Sequence, residues 1–368
     1  MKILFAILGC ATLLVACGGD KKRGDNAADA NAETQIEVAA PAPSIIKITG
    51  DLASLIGNVS DYVGVVDVRT DEGQTYRTEL DDNMRFEVLV DVLEGEGIML
   101  TLNGDMLVHL IAEGRDMNIT TDAEGNMIVE GSMLYPKTTE FQNRASELYE
   151  GLYVAQSEEE MEKIYEELLD YIQSFIVENI DTPLALYALP TFIGLGGDDE
   201  VSNELFKRIN PKYAHLKSYK TLNNTMIGAD LVDITLPDGE GRMVSVSELC
   251  SAGKWVLVDF WATWCGPCRG EIPYLVAAYE KFAPKGFEIY GISFDNPGNE
   301  ERWQTFIADN NMSWVNVWGS GDDGSWSAGE AYNVTGIPTN FLFSPEGKLV
   351  AKNLRGEDVE RVLSEHIK

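Results

Sequence analysis

Basic residues are scarce in this chain. Its 368 residues hold 28 Lys and Arg against 60 Asp and Glu, a formal net charge of −32. Phosphate backbones are held on a basic face, so nucleic acid is excluded as a partner. The same imbalance opposes a general attraction to anionic lipid and suits a protein kept soluble by its own charge. Cysteine is also sparse. Cys10, Cys17, Cys250, Cys265 and Cys268 are too few for a disulfide scaffold. The histidines His109, His215 and His366 are scattered, and no second pair of Cys or His stands at metal-ligand spacing. No structural zinc set is therefore visible, and neither metal nor other cofactor is expected. Long apolar runs are missing too: residues 3–15 fall short of the ~20 that a membrane-spanning helix needs.

What is present falls into segments of different character, as a chain of this length suggests two or three domains. Lys2 and the short apolar run 3–15 read as a signal peptide over residues 1–16. The run ends in Leu14-Val15-Ala16-Cys17, which resembles a bacterial lipobox; cleavage before Cys17 would leave that thiol to carry lipid and would discard Cys10. The alternative is an ordinary secretory signal with Cys17 free; both export the protein to where thiols meet oxidants. Residues 17–44 are rich in Gly, Ala, Asn, Asp and Pro and read as a flexible tether. Its basic run Lys21-Lys22-Arg23 either lies on lipid headgroups or is simply solvated.

Residues 45–134 carry short alternating apolar runs, such as Phe86-Val88-Val90 and Leu107-His109-Ile111, divided by turn signals that include Asn103-Gly104. Asn-Gly between apolar runs is a strong hairpin cue, and the segment is expected to be an antiparallel β-sandwich. It holds no nucleophile–base set. It resembles the small β domain that often precedes the catalytic domain of certain envelope lipoproteins, and either a partner- or substrate-binding module or a spacer fits it. Residues 135–222 are expected to be a helical linker subdomain. Ser157-Glu158-Glu159-Glu160 has the form of a capping box, Met161 to Ile176 follow helical spacing, and Thr182-Pro183 reads as a cap followed by a first-turn proline.

In residues 227–368 strands and helices alternate. The β-branched run Val256-Leu257-Val258-Asp259-Phe260 stops at Trp264-Cys265-Gly266-Pro267-Cys268, and a helix-forming run follows. A Cys-x-x-Cys beside a βαβ pattern reads as a thioredoxin-like redox motif. A helix N-terminus carries unpaired N–H donors and partial positive charge, which favour a thiolate. Cys265 is the expected exposed nucleophile, and Cys268, one turn on and more buried, the resolving partner. A structural disulfide or half of a metal site is the bland alternative.

Val-Asp-Phe-Trp-Ala-x-Trp-Cys-Gly-Pro-Cys resembles the active-site segment of thioredoxin, and Cys268-Arg269-Gly270-Glu271-Ile272-Pro273 resembles the TlpA/ResA group of the AhpC/TSA–Redoxin superfamily. The resemblance implies an α/β thioredoxin-like fold, preceded by a hairpin at residues 228–249, and a thiol–disulfide oxidoreductase. Thr335-Gly336-Ile337-Pro338-Thr339 resembles the family's cis-proline loop. Pro338 would pack on the cysteine pair and Ile337 would offer its backbone to an extended substrate. With Trp264, Gly266 and Pro267 they would form the substrate surface. Asp259 matches thioredoxin's buried aspartate and Glu271 the acidic residue of the ResA-like proteins; either would take the Cys268 proton. Carrying both departs from each pattern, and a plain ion pair with Arg269 or Lys254 is the alternative. Cys250 reads as a buried small hydrophobe or a regulatory thiol.

The leading reading is an envelope enzyme, lipid-anchored and facing the periplasm from the inner or outer membrane. It would reduce disulfides of exported proteins such as apocytochrome c and be re-reduced by a membrane electron donor. An oxidase or isomerase is the alternative. A peroxiredoxin is disfavoured because its Pro-x-x-x-Thr-x-x-Cys loop is missing, and a surface binding protein acting through the β domain is the alternative of another class.

Overall fold

The computed structural model describes residues 41–56, 63–122, 125–322 and 324–368. The signal segment, Cys10, Cys17 and the tether up to residue 40 lie outside the described residues. The chain forms two compact units, divided between Lys220 and Thr221. No helix among the described residues is long and apolar enough to cross a membrane.

The first unit opens with β1 (Ser44–Asp51), the short α1 (Ala53–Ile56), β2 (Val65–Thr70), β3 (Thr75–Glu79), β4 (Arg85–Val92), β5 (Gly97–Leu102), β6 (Asp105–Ile111), β7 (Met117–Thr121) and β8 (Met127–Glu130). They form two four-stranded sheets, ordered β4-β1-β7-β8 and β3-β2-β5-β6. Alternation drives this: β4 buries Phe86, Val88, Val90 and Val92 and exposes the residues between, except half-buried Asp91. Ile46, Ile48 and Val90 from one sheet share a core with Val66, Val68 and Leu100 from the other.

Two features differ from the sequence expectation. β1 and β7 run parallel, with Ile48 opposite Met117; no tight turn joins these distant segments, so nothing local sets the sense in which they pair. β3 was invisible because its Thr-Tyr-Arg-Thr-Glu sequence buries no residue.

Four longer helices of this unit follow: α2 (Tyr135–Val154), α3 (Glu158–Glu178), α4 (Leu184–Gly194) and α5 (Asp199–Arg208), before α6 (Lys217–Asn223). Ser157 caps α3 by accepting the Glu160 N–H at 3.1 Å, but the Glu160 carboxylate accepts the Gln156 N–H rather than that of Ser157. The reciprocal bond is thus displaced one residue outward. Pro183, not Thr182, caps α4; Thr182 Oγ1 accepts the Leu184 N–H at 3.3 Å.

The second unit begins with the hairpin β9 (Thr235–Pro237) and β10 (Met243–Ser245), followed by α7 (Val246–Ser251). Tyr290 fastens the hairpin to the core, accepting the Leu236 N–H and donating to the Val244 carbonyl at 2.8 Å. The main sheet has the order β13-β12-β11-β14-β15, built from β11 (Trp255–Trp261), β12 (Phe287–Ser293), β13 (Val315–Trp318), β14 (Thr339–Phe343) and β15 (Leu349–Lys352). The interleaved helices are α8 (Gly266–Phe282), α9 (Glu300–Asp309) and α10 (Glu357–His366). β11 lies at the centre, parallel to β12 and antiparallel to β14. A strand covered on both faces reads as a continuous apolar run, and in β11 Asp259 is the one interruption.

Candidate active site

The strand–turn–helix junction is built locally. Cys265 is the N-cap of α8, with extended backbone at φ −79° and ψ 103°, and its Sγ accepts the Cys268 N–H at 3.2 Å. Pro267 occupies the first turn, where a missing N–H costs nothing. Cys268, Ile272, Leu275, Ala278 and Phe282 then form one buried stripe. Cys265 and Cys268 are joined by a disulfide with S–S 2.03 Å and Cα atoms 5.3 Å apart. Both are buried, at 4% and 3% exposure, so the expected contrast between an exposed and a covered cysteine is not observed. The cover comes from another strand connection: Ile337 packs against the same core, and its carbonyl oxygen lies 3.8 Å from Cys265 Sγ. Around the pair, Trp264, Gly266 and Pro267 are exposed.

Topology brings that loop in. Phe260 pairs with Thr339, so the residues just before β14 arrive at the end of β11. The Ile337–Pro338 peptide is cis. The Pro338 carbonyl accepts a hydrogen bond from the Arg355 guanidinium, which also donates to the Leu354 carbonyl at 2.8 Å.

Asp259 shares a side of β11 with Leu257 and Trp261, the side whose core includes both cysteines. Its 6% exposure makes it a buried carboxyl. Burial pushes it up to about 7; the Arg355 charge and the Asn340 amide pull it down, and the Glu271 charge pushes it further up. Glu271 itself is half-buried and accepts the Gly356 N–H at 2.7 Å, which ties α8 to the start of α10. The ion pairs considered from sequence do not form. Lys254 pairs with Glu288 at 2.7 Å, and Arg269 lies over the Phe306 ring.

Three neighbours escaped the sequence reading. Arg355 has no spacing relation to Asp259. Trp326, from the Gly- and Asp-rich loop, stacks between Trp264 (6.3 Å) and Phe294 (4.6 Å). Asp295 is 2% exposed and fastens the segment before Cys265: it accepts the Thr263 N–H at 3.0 Å, the Thr263 hydroxyl at 2.5 Å and the Ser293 hydroxyl at 2.7 Å. A Ser-x-Asp at the end of a largely apolar strand is the available signal, since such residues favour local turns. Cys250 is free and buried, and its thiol is pushed up to about 11 by burial. Among the described residues no group of three or more His, Cys, Asp or Glu side chains is arranged for a metal.

A Cys-x-x-Cys disulfide at a helix N-terminus, set in this five-stranded sheet, defines a thioredoxin-like thiol–disulfide oxidoreductase. Residues 227–352 match the AhpC/TSA family. The thiol-disulfide oxidoreductase ResA of Bacillus subtilis is 32% identical over 141 residues, covering 38% of this chain and 73% of that protein. ResA of Bacillus anthracis is 33% identical over 147 residues, 39% of this chain and 77% of its own. The chain belongs to the ResA-like thiol–disulfide oxidoreductases. Among solved structures, the thioredoxin domain of a thiol-disulfide oxidoreductase from Bacteroides vulgatus is 37% identical, covering 39% of this chain and 98% of that one, with a TM-score of 0.36. A thiol:disulfide interchange protein from Bacteroides sp. is 38% identical, covering 39% and 91%, with a TM-score of 0.36.

Proposed function

We propose that this oxidoreductase works as a reductant of disulfides in exported proteins, apocytochrome c among them, through a Cys265–Cys268 dithiol. The Cys265 thiolate attacks one sulfur of the substrate disulfide, forms a mixed disulfide and expels the other sulfur as a thiolate. Cys268, deprotonated, then attacks Cys265 Sγ; the substrate leaves with both electrons and the protein keeps the intramolecular disulfide. A membrane electron donor returns two electrons. Asp259 is the base for Cys268, with Glu271 setting its charge environment. Trp264, Gly266, Pro267, Ile337 and Pro338 form the surface that holds the substrate chain in an extended form.

The observation that carries this reading is the buried Asp259 on the core side that holds both cysteines, tuned by burial to about 7, where a carboxyl exchanges protons near neutral pH. Gly266-Pro267 between the cysteines supports the reducing direction, because thioredoxin, with the same dipeptide, has a potential of about −270 mV. We place the enzyme in the cell envelope, facing the periplasm, with Cys17 as lipid anchor. The two sheets of the first unit are the faces of a sandwich, and its helices are the link to the catalytic domain.

The test is a glutathione redox titration of the soluble protein, followed by trapping with Cys268→Ser. A potential near −270 mV and mixed disulfides between Cys265 and exported proteins are expected. A potential above about −200 mV would turn the assignment to an oxidase or isomerase. A Cys265→Ser/Cys268→Ser protein that still complements a deletion would favour binding through the first unit.

A further inference from the structure

Among the described residues of the second unit, five buried side-chain polar atoms have no protein partner, and three of them converge on one place. Trp261 and Trp314 are 2% and 6% exposed, and neither indole Nε1–H finds an acceptor. Asn316 Oδ1, also buried, finds no donor. The orientation of that amide is set by its other end, since Nδ2 donates to the Met312 and Trp314 carbonyls, both at 2.9 Å. All three atoms meet over Gly291. A Cβ at that position would lie 3.1 Å from Asn316 Oδ1, 3.1 Å from Trp314 Nε1 and 3.3 Å from Trp261 Nε1.

Leaving a buried donor or acceptor unpaired costs ~1–3 kcal/mol. Three such costs at one spot, in a core otherwise made of groups such as Leu257 and Ile289, call for a shared partner. Its chemistry is prescribed: it must be small, accept from two indoles and donate to an amide oxygen. A halide or carboxylate cannot donate and an ammonium cannot accept; water does both.

Asp259 is the next group along. Asp259, Gly291 and Asn316 stand side by side on β11, β12 and β13. Adjacent strands lie ~4.8 Å apart and paired residues project to the same side. Because Gly291 has no side chain, nothing of its own separates its position from the Asp259 carboxyl.

We propose that Gly291 opens a binding site for one internal water molecule, held by Trp261, Trp314 and Asn316, whose remaining hydrogen is donated to Asp259. The water accepts from the two indoles and donates to Asn316 Oδ1 and the Asp259 carboxylate, completing four bonds. It supplies hydration inside the core to a carboxyl otherwise faced by Arg355 from the β15–α10 connection, Asn340 from β14 and Glu271 from α8. The water site does not depend on the direction of the thiol chemistry.

The test uses the oxidised protein. A high-resolution crystal structure, with water-to-indole NOEs in solution, should reveal one long-lived water within about 2.7–3.2 Å of all three atoms. Indoles that donate directly to Asn316 Oδ1, with no such water, overturn the site. Gly291→Ala fills the place with a methyl group and should abolish those NOEs. It should also raise the Asp259 midpoint, followed by carboxyl carbon-13 shifts, by about one unit, the worth of one hydrogen bond to a charged group. Trp314→Phe removes one donor without adding bulk and should weaken the NOE to Trp261 and move the midpoint the same way. A midpoint unchanged in both variants overturns the link to Asp259.

Discussion

Replacing Asp259 by Asn separates the cost of a buried charge from its use. Burial raises this carboxyl from 3.8 to about 7. The unfolded chain thus releases the proton near 3.8 while the folded chain holds it until about 7. Between those values the folded state binds more protons, so stability falls as pH rises through the window and levels off above it. From pH 5 to pH 7 the fall is about 2 kcal/mol at ~1.36 kcal/mol per unit, less than two full units because the folded carboxyl is itself half ionised near 7. Asn has nearly the same shape and does not ionise, so the variant lacks this fall. Urea unfolding of the oxidised wild type and Asp259→Asn at pH 5, 6, 7 and 8 measures it, and the difference between the two proteins cancels every other titrating group. The variant's advantage should grow by about 2 kcal/mol from pH 5 to 7, rise slightly further and level off by about pH 8. A constant offset, or an advantage that shrinks with rising pH, refutes the reasoning. On the proposed mechanism, resolution of the mixed disulfide should also slow at neutral pH in this variant, since Asp259 is there the base for Cys268.

Other outcomes follow from the same contacts. Asp295→Ala strands the Thr263 N–H and two hydroxyls in the core and should cost about 3 kcal/mol in urea unfolding, part of it recovered by Asp295→Asn, whose Oδ1 still accepts. Glu271→Gln keeps an acceptor for the Gly356 N–H but removes a charge that holds Asp259 up, so the Asp259 midpoint should move down in a carbon-13 titration; an upward shift would contradict the assigned cause. Cys268→Ser should accumulate mixed disulfides at Cys265 on non-reducing gels, and the double Ser variant none.

Much of the catalytic unit is legible in the chain because its signals are local. The apolar run of β11, the Cys-x-x-Cys at its end, the helical stripe behind it and the Ile337-Pro338 motif all lie within a few residues of the features that define them. The site's electrostatics are not local. Arg355 lies 96 positions after Asp259 and reaches the same neighbourhood only because β14 and β15 return beside β11. The parallel pairing of β1 with β7 is hidden for a related reason: hairpin signals specify neighbours in sequence, and these strands are joined by none.

The two cysteines, their place at a helix start and the acidic groups available to them can be read from the local chain, since spacing and helix-end chemistry need nothing beyond it. Tertiary structure decided that both sulfurs are covered, that Asp259 is the buried carboxyl while Glu271 is engaged with Gly356, and that two indoles and an amide converge on Gly291. Burial and electrostatic neighbourhood are properties of packed elements, and they exist only once distant strands have been brought side by side.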